Sequence, residues 1–208
     1  MSRPLLITDC DEVLLHMVVP FRGWLDEAHG VDFRLAADFS GALTRRACGT
    51  TLRPTEVWPL LDGFFATEMP RQQPVPGAVD AIAALANQAD VVVLTNLTDA
   101  CHARRVAQLS DHGIRHRVVC NQGGKGPAVR RLVDELSPNV VVFVDDLPQH
   151  HESVAADVPG VWRLHMVAEP EMAPLVPAAA HAHARIDDWP AARRWIGERF
   201  AAGADADA

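Results

Sequence analysis

Three short apolar runs constrain this chain more than any other feature: PLLITD (residues 4–9), DVVVLT (90–95) and NVVVFVD (139–145). Each is continuous rather than alternating, and each is rich in Val, Ile or Leu. A strand with one wet face alternates apolar and polar residues. A strand that is apolar throughout is covered on both faces, as in the parallel sheet of an α/β protein. RVVC (117–120) reads as a shorter strand and VWRLHM (161–166) as a late one. Helical patterns fall between them. Residues 77–89 place Ala78, Ile82, Leu85 and Ala89 on one face. Residues 98–112 run from Thr98, a good N-cap, to the residue before Gly113. Residues 127–137 open on Pro127 and stop before Pro138, and residues 190–200 open on Pro190 and carry Trp195, Ile196 and Phe200. This alternation predicts an α/β fold, a Rossmann-like three-layer sandwich around a mainly parallel sheet with right-handed crossovers.

Residues 16–74 break the rhythm and are far longer than a loop between two such elements. They hold seven of the chain's twelve aromatics, among them Trp24, Trp58, Phe64 and Phe65. They are expected to form a small, mainly helical subdomain inserted after the first strand. The core is then 1–15 with 75–200, and 201–208 (AAGADADA after Phe200) is expected to be a frayed tail.

At 208 residues, with 49% hydrophobic and 22% charged residues, the chain is long and apolar enough to bury a core. The longest unbroken apolar run is six residues (81–86), too short to span a membrane. The opening MSRPLLITDCDE meets acids too early for a secretory signal. A net charge of −8 argues against a nucleic-acid polymer or an anionic membrane as partner. The cysteines stand singly at 10, 48, 101 and 120, with no CxxC pair. Free thiols and a cytoplasmic setting are expected. The oligomeric state does not follow from the sequence.

The polar residues that end the strands carry the chemistry. In open α/β sheets the ligand sits outside the carboxyl ends of the strands. The first strand here ends in Asp9-Cys10-Asp11, the second in Thr95-Asn96 and the third in Asp145-Asp146. Lys125 follows the RVVC strand inside Gly123-Gly124-Lys125-Gly126, a loop without the P-loop spacing. Singly, each has an ordinary explanation: an acid pair as a turn or cap, a threonine as a strand end, a loop lysine as a solvated charge. Together they are the parts of a magnesium-dependent site that works through an aspartyl-phosphate. A carboxylate is a competent nucleophile toward phosphorus, and an anion attacking an anion needs a cation between them. Mg²⁺ takes hard oxygen ligands, which Asp9 and Asp145 supply. Lys125 adds positive charge, and the Thr95 hydroxyl donates to an equatorial oxygen. Asp11, two residues beyond Asp9, is placed to protonate the leaving alcohol and then to activate water.

The order and context of these groups resemble the phosphatase branch of the haloacid dehalogenase (HAD) superfamily. The resemblance rests on LLITDCDEVLL (5–15), VVVLTN (91–96), GGKGP (123–127) and VVFVDD (141–146), which cover most of the core but not the insertion. It implies a Mg²⁺-dependent hydrolase with Asp9 as nucleophile, Asp11 as acid/base, and Thr95, Asn96 and Lys125 around the phosphate. It also implies Mg²⁺ held by Asp9, the main-chain carbonyl of Asp11 and Asp145, with Asp146 as ligand or support. Family dehalogenases lack the second acid of the first motif, so Asp11 argues for phosphoryl transfer. Residues 12–20 would be the family's squiggle and flap, and 16–74 its cap. The sequence departs from the family at Glu12, where many members carry Gly.

The expected substrate is a small soluble phosphorylated metabolite. PVPGAVDAI (74–82) and the aromatic-rich cap also resemble the family's deoxyribonucleotidases, which keeps a 5'-nucleotidase specificity as an alternative. A non-catalytic HAD-like binding protein is a further one. A receiver domain is disfavoured, because there the acid pair comes first and the phospho-acceptor later. Arg22, Arg34, Arg45, Arg46, Arg53 and Arg71 either read a second anionic group or pair with the insert's own seven acids. Its aromatics either stack on a ring or form its core. His150 and His151 follow the acid pair and lie beside the site, whereas no Cys/His spacing matches structural zinc. Asp187-Asp188 reads as a helix cap, and Cys10 as packing.

Overall fold

The computed structural model describes residues 2–36 and 41–206. Among the described residues, eight strands and seven α-helices follow one another: β1 (Leu5–Thr8), α1 (Val18–Trp24), β2 (Val31–Phe33), β3 (Leu43–Arg45), α2 (Pro54–Thr67), α3 (Ala78–Ala86), β4 (Asp90–Thr95), α4 (His102–Asp111), β5 (Arg117–Cys120), α5 (Gly126–Leu136), β6 (Val141–Asp145), α6 (Pro148–Asp157), β7 (Trp162–His165), β8 (Ala184–Arg185) and α7 (Trp189–Ala206). Six strands form one sheet in the order β5-β4-β1-β6-β7-β8, all parallel. The chain therefore starts at the centre of the sheet, and every sheet strand delivers its carboxyl end to the same edge.

Both faces of the central strands are dry, which explains the continuous apolar runs. Leu6, Val91, Val93, Val142 and Val144 point into one layer with Ile82, Leu85, Trp189, Ile196 and Phe200. Their neighbours Leu5, Ile7, Val92, Leu94 and Phe143 point the other way, onto Val129, Leu132 and Val154. The side-chain period of two is intact, but both sets are hydrophobic. The expected α/β sandwich with a small insertion after β1 is what the chain forms.

The insertion has its own core. Phe21, Leu25, Val31, Phe33, Leu43, Val57, Leu61, Phe64 and Phe65 cluster together. Phe21 packs edge-on against Phe64 with centroids 5.4 Å apart, and Phe64 against Phe65 at 5.6 Å. The same cluster takes in Leu97 and Cys101 beyond β4, and Val167, Met172 and Val176 beyond β7. The insertion thus seats on the carboxyl edge of the sheet. It is not only helical: β2 and β3 pair antiparallel, a hairpin too short to show a sequence period. Phe39 lies outside the described residues.

Two further sequence expectations meet the structure near the C-terminus. Asp188 caps α7, accepting the N–H of Ala191 at 2.8 Å, while Asp187 instead accepts from Val167 N and Arg185 Nε. In the segment expected to be a frayed tail, residues 201–206 continue α7, and 207–208 lie outside the described residues. Ala and Asp alternate there without a helix breaker beyond Gly203, so the helix set up by Ile196 and Phe200 propagates. Among the described residues no helix is long and apolar enough to cross a membrane.

Candidate active site at the carboxyl edge of the sheet

Asp9 stands just past β1, Thr95 closes β4 and Asp145 closes β6, with β1 between the other two. Parallel register therefore sets Asp9 level with Asp145, with Thr95 one residue further along its strand. Lys125 comes from the loop before α5. Its reach depends on Gly126, where a Cβ would collide with the Ser153 carbonyl and the Asp157 carboxylate. With no Cβ there, α5 closes onto α6, and Gly126 N–H donates to Ser153 Oγ at 2.9 Å. Lys125 is carried inward until none of its surface is exposed.

The buried ammonium lies 2.7 Å from Asp9 Oδ1 and 2.6 Å from Asp145 Oδ2. The other Asp145 oxygen accepts the N–H of Leu147 at 2.9 Å. Burial works against the charge on Lys125, but the facing Asp145 and Asp9 outweigh it and hold the lysine protonated. Burial pushes Asp9 up, with the carboxylates of Asp145 and Asp11 adding to it against the pull of Lys125. Burial also raises Asp146, together with Asp145 and Asp9. Asp9, Asp145 and Asp146 each bring an oxygen within 4.8 Å of the other two. Three carboxylates around one ammonium leave an excess of negative charge in a poorly solvated place. A hard divalent cation matches both that charge and that donor set.

Asp11 is held differently. Arg105 Nη2 donates to both its oxygens, at 2.8 and 2.9 Å. Gln72 Nε2 donates to Oδ1 at 2.7 Å, and Thr95 Oγ makes a long contact of 3.4 Å to Oδ2. Arg105 is fully buried, donates also to Cys10 Sγ at 3.1 Å, and lies under the Phe65 ring of the insertion, 5.6 Å from its centroid. The sequence expectations did not include Arg105. Its signal was available: on α4 it shares a face with Cys101, Gln108 and Leu109, and a charge on a buried face requires a partner. Burial raises the Cys10 thiol far above its ordinary range, consistent with packing and not with nucleophilic use.

Asn96 is exposed and ties two loops together. It donates to the Gly123 carbonyl at 2.9 Å and accepts from Asn121 at 2.9 Å, with His150 Nε2 at 3.4 Å. His151 and His165 brace the acid pair from behind, their Nε2 atoms 3.0 and 2.8 Å from the carbonyls of Asp145 and Asp146. Burial pushes His151 down to about 4, so it is neutral at physiological pH. His181 and His183 engage Arg163.

In the insertion, Arg45 pairs with Glu56, Arg46 with Asp26 and Asp32, Arg53 with Glu56, and Arg71 with Glu27 and Glu68. Arg22 pairs with Glu171 of the core. Phe21, Phe64 and Phe65 are core, and Trp58 is exposed.

Glu12 accounts for the departure from Gly noted in the sequence. Its φ is +59°, in the left-handed region where Gly is ordinarily preferred. Its side chain turns inward and accepts the N–H groups of Met17 and Val18 at 2.7 and 2.6 Å, at the start of α1.

No family model matches the chain, and neither does any curated relative. Solved structures do. A haloacid dehalogenase-like family hydrolase from Xanthomonas campestris is similar with a TM-score of 0.61 and 16% identity, covering 98% of this chain and 99% of that one. A HAD family hydrolase from Deinococcus radiodurans R1, with bound phosphate and sodium, gives 0.67 and 15%, covering 94% and 95%. The HAD-hydrolase YfnB from Bacillus subtilis, bound to magnesium, gives 0.64 and 12%, covering 94% and 99%. At these identities the likeness is one of architecture, and it includes the insertion as well as the sheet. The chain has the fold of the haloacid dehalogenase-like hydrolases over nearly its whole length.

Proposed function

We propose that the chain is a Mg²⁺-dependent phosphomonoester hydrolase that works through an aspartyl-phosphate on Asp9 and acts on a small phosphorylated metabolite. One observation carries the reading: a buried lysine bridges two strand-end aspartates, and a third carboxylate, Asp11, sits next to them on the same edge. The similar structures with bound phosphate and with magnesium support it.

Asp9, Asp145 and the main-chain carbonyl of Asp11 would hold the cation, with Asp146 as a further ligand or a support. When bound, it would supply positive charge that offsets the negative charge of the nucleophile and of the phosphoryl group. Lys125 adds a second positive group that is already fixed in place and needs no reorganisation during reaction. The Thr95 hydroxyl donates to a phosphoryl oxygen, and Asn96 sets the shape of the loop beside it. An Asp9 oxygen forms the bond to phosphorus as the ester P–O bond breaks, and Asp11 gives its proton to the departing alkoxide. Asp11 then takes a proton from water. The water oxygen bonds to phosphorus, and the Asp9–phosphorus bond breaks to release inorganic phosphate.

As it stands, Asp11 accepts from Arg105, Gln72 and Thr95. Its acid step requires release from some of these donors. Gln72 lies at the C-terminal end of the insertion and Phe65 covers Arg105, so a movement of the insertion reaches the acid directly. The stacking argument for the nucleotide alternative narrows to the exposed Trp58, because Phe64 and Phe65 belong to the insertion's own core and Trp24 packs against it.

The test is release of inorganic phosphate from nucleotides, sugar phosphates and small acid phosphates, with Mg²⁺ and with excess chelator. Metal-dependent release is expected. Release that persists in chelator contradicts the metal assignment, and silence across the whole panel contradicts the hydrolase reading in favour of a binding role.

A further inference from the structure

A second group of potential ligands lies one residue beyond the active-site acids. Glu12, His16 and Glu169 each offer one ligand atom within 4.8 Å of the other two. Glu12 and Glu169 are buried, with 2% and 6% of their surface exposed, whereas His16 is partly open to solvent.

Each residue has one atom fixed or oriented and one atom left over. Glu12 Oε1 accepts from Met17 N and Val18 N, while Oε2 is buried without a hydrogen-bond partner. Glu169 Oε1 accepts from Glu171 N at 3.1 Å, while Oε2 stands 3.6 Å from His16 Nδ1, too far for a hydrogen bond. His16 Nδ1 is itself buried and without a hydrogen bond. Two oxygens and one imidazole nitrogen therefore meet without satisfying one another. A buried, unsatisfied carboxylate oxygen beside a second carboxylate is an expensive arrangement unless something positive lies between them.

We propose that Glu12, His16 and Glu169 form a second cation site, selective for a divalent first-row transition ion such as Zn²⁺, Mn²⁺ or Co²⁺. Two carboxylates with a neutral imidazole balance a dipositive ion. The nitrogen ligand separates this site from Asp9, Asp145 and Asp146, which offer oxygen alone and suit Mg²⁺. The partly open His16 edge gives an ion a way in. Glu12 and His16 belong to the turn that leads from β1 into the insertion, and Glu169 belongs to the segment after β7. A bound ion would pin that turn to the core, beside the connection through which Ala168 N–H reaches the Glu12 carbonyl at 3.2 Å. The buried Glu12 at a left-handed backbone position then has a reason to be there: its side chain both caps α1 and donates a ligand. The rival occupant is a proton, shared within the cluster in place of the ion.

Equilibrium dialysis against Co²⁺, with millimolar Mg²⁺ present to fill the oxygen site, tests the proposal on the intact chain. The parent is expected to retain one Co²⁺ per chain, with a visible absorption band typical of mixed nitrogen and oxygen ligands. His16→Ala and Glu169→Gln are each expected to weaken retention about tenfold or more. Asp145→Asn should leave it unchanged. Should His16→Ala fail to fold, Glu169→Gln carries the comparison alone. No retained Co²⁺, or retention indifferent to both substitutions, overturns the site and assigns the cluster to a proton. Retention is read without turnover, so its failure and failure of the hydrolase reading are told apart.

Discussion

Two clusters of the same size, one centred on Asp9 and the other on Glu12, solve the same problem in opposite ways. Both bring buried carboxylates within 4.8 Å of one another. At Asp9 the protein supplies its own cation, Lys125, at hydrogen-bond distance from two of the acids. At Glu12 it supplies backbone N–H groups to one oxygen and leaves the other unmet. The first arrangement carries its own counter-charge at hydrogen-bond distance. The second is incomplete until something positive enters. The difference lies in where the residues come from. Strand ends and a glycine-hinged loop meet at the first cluster, and two irregular segments meet at the second.

The largest expected effect isolates the first cluster. Asp9→Asn keeps the size of the side chain but removes the nucleophile. Turnover of the best phosphomonoester should fall on the order of 10⁴-fold or more, with circular dichroism unchanged. Retained turnover would remove Asp9 as the nucleophile.

Next comes the internal cation. Lys125→Met leaves Asp9 and Asp145 facing each other without a partner. Chemical denaturation in chelator should show a loss of about 3–5 kcal/mol. Arg105→Met should cost a similar amount, because Asp11 then keeps its charge without the guanidinium. If either loss is near zero, the ion pair does not hold the carboxyl edge together, and the contrast between the clusters fails.

A smaller effect concerns the neutral histidine behind the acids. His151 is depressed by burial from 6.5 to about 4. Between those values the unfolded chain binds a proton there and the folded chain does not, so folding stability contributed by this residue falls as pH falls through that window. Across it, and in chelator, the parent should lose up to about 3 kcal/mol more than His151→Gln. Equal acid limbs in denaturation at pH 7 and pH 4 would remove His151 from the account.

The smallest expected effect is Thr95→Val. It deletes one hydroxyl donor to the phosphoryl group and should lower kcat/KM about tenfold, leaving the melting temperature nearly unchanged. An unchanged kcat/KM would confine Thr95 to its contact with Asp11.

What was legible in the sequence follows from the same division. β4 and β5 were expected at 90–95 and 117–120 and form over those residues: β4 is buried on both faces and so writes itself as an unbroken apolar run, whereas β5 is an edge strand whose short run is anchored by the buried Val118. Asp9, Asp11, Thr95, Lys125 and Asp145 could be gathered from the sequence because parallel strands all end at one edge. The hairpin of Val31–Phe33 with Leu43–Arg45 was hidden by three-residue strands that show no period. α6 was missed because PQHHESVAAD offers few apolar positions and only Val154 anchors it in the core. Arg105 was legible in principle, as a charge on the buried face of α4. The meeting of Glu12 and Glu169 was not, since 156 intervening residues with no shared element bring them together only through the insertion and the far half of the sheet.

The most direct measurement needs no substrate. Beryllofluoride binds an aspartate carboxylate as a mimic of an acyl-phosphate, and fluorine NMR reads the bound species. The account predicts a bound signal from the parent in Mg²⁺, absent in chelator and absent from Asp9→Asn. A bound signal that survives Asp9→Asn, or no bound signal from the parent in Mg²⁺, would contradict an aspartyl-phosphate on Asp9.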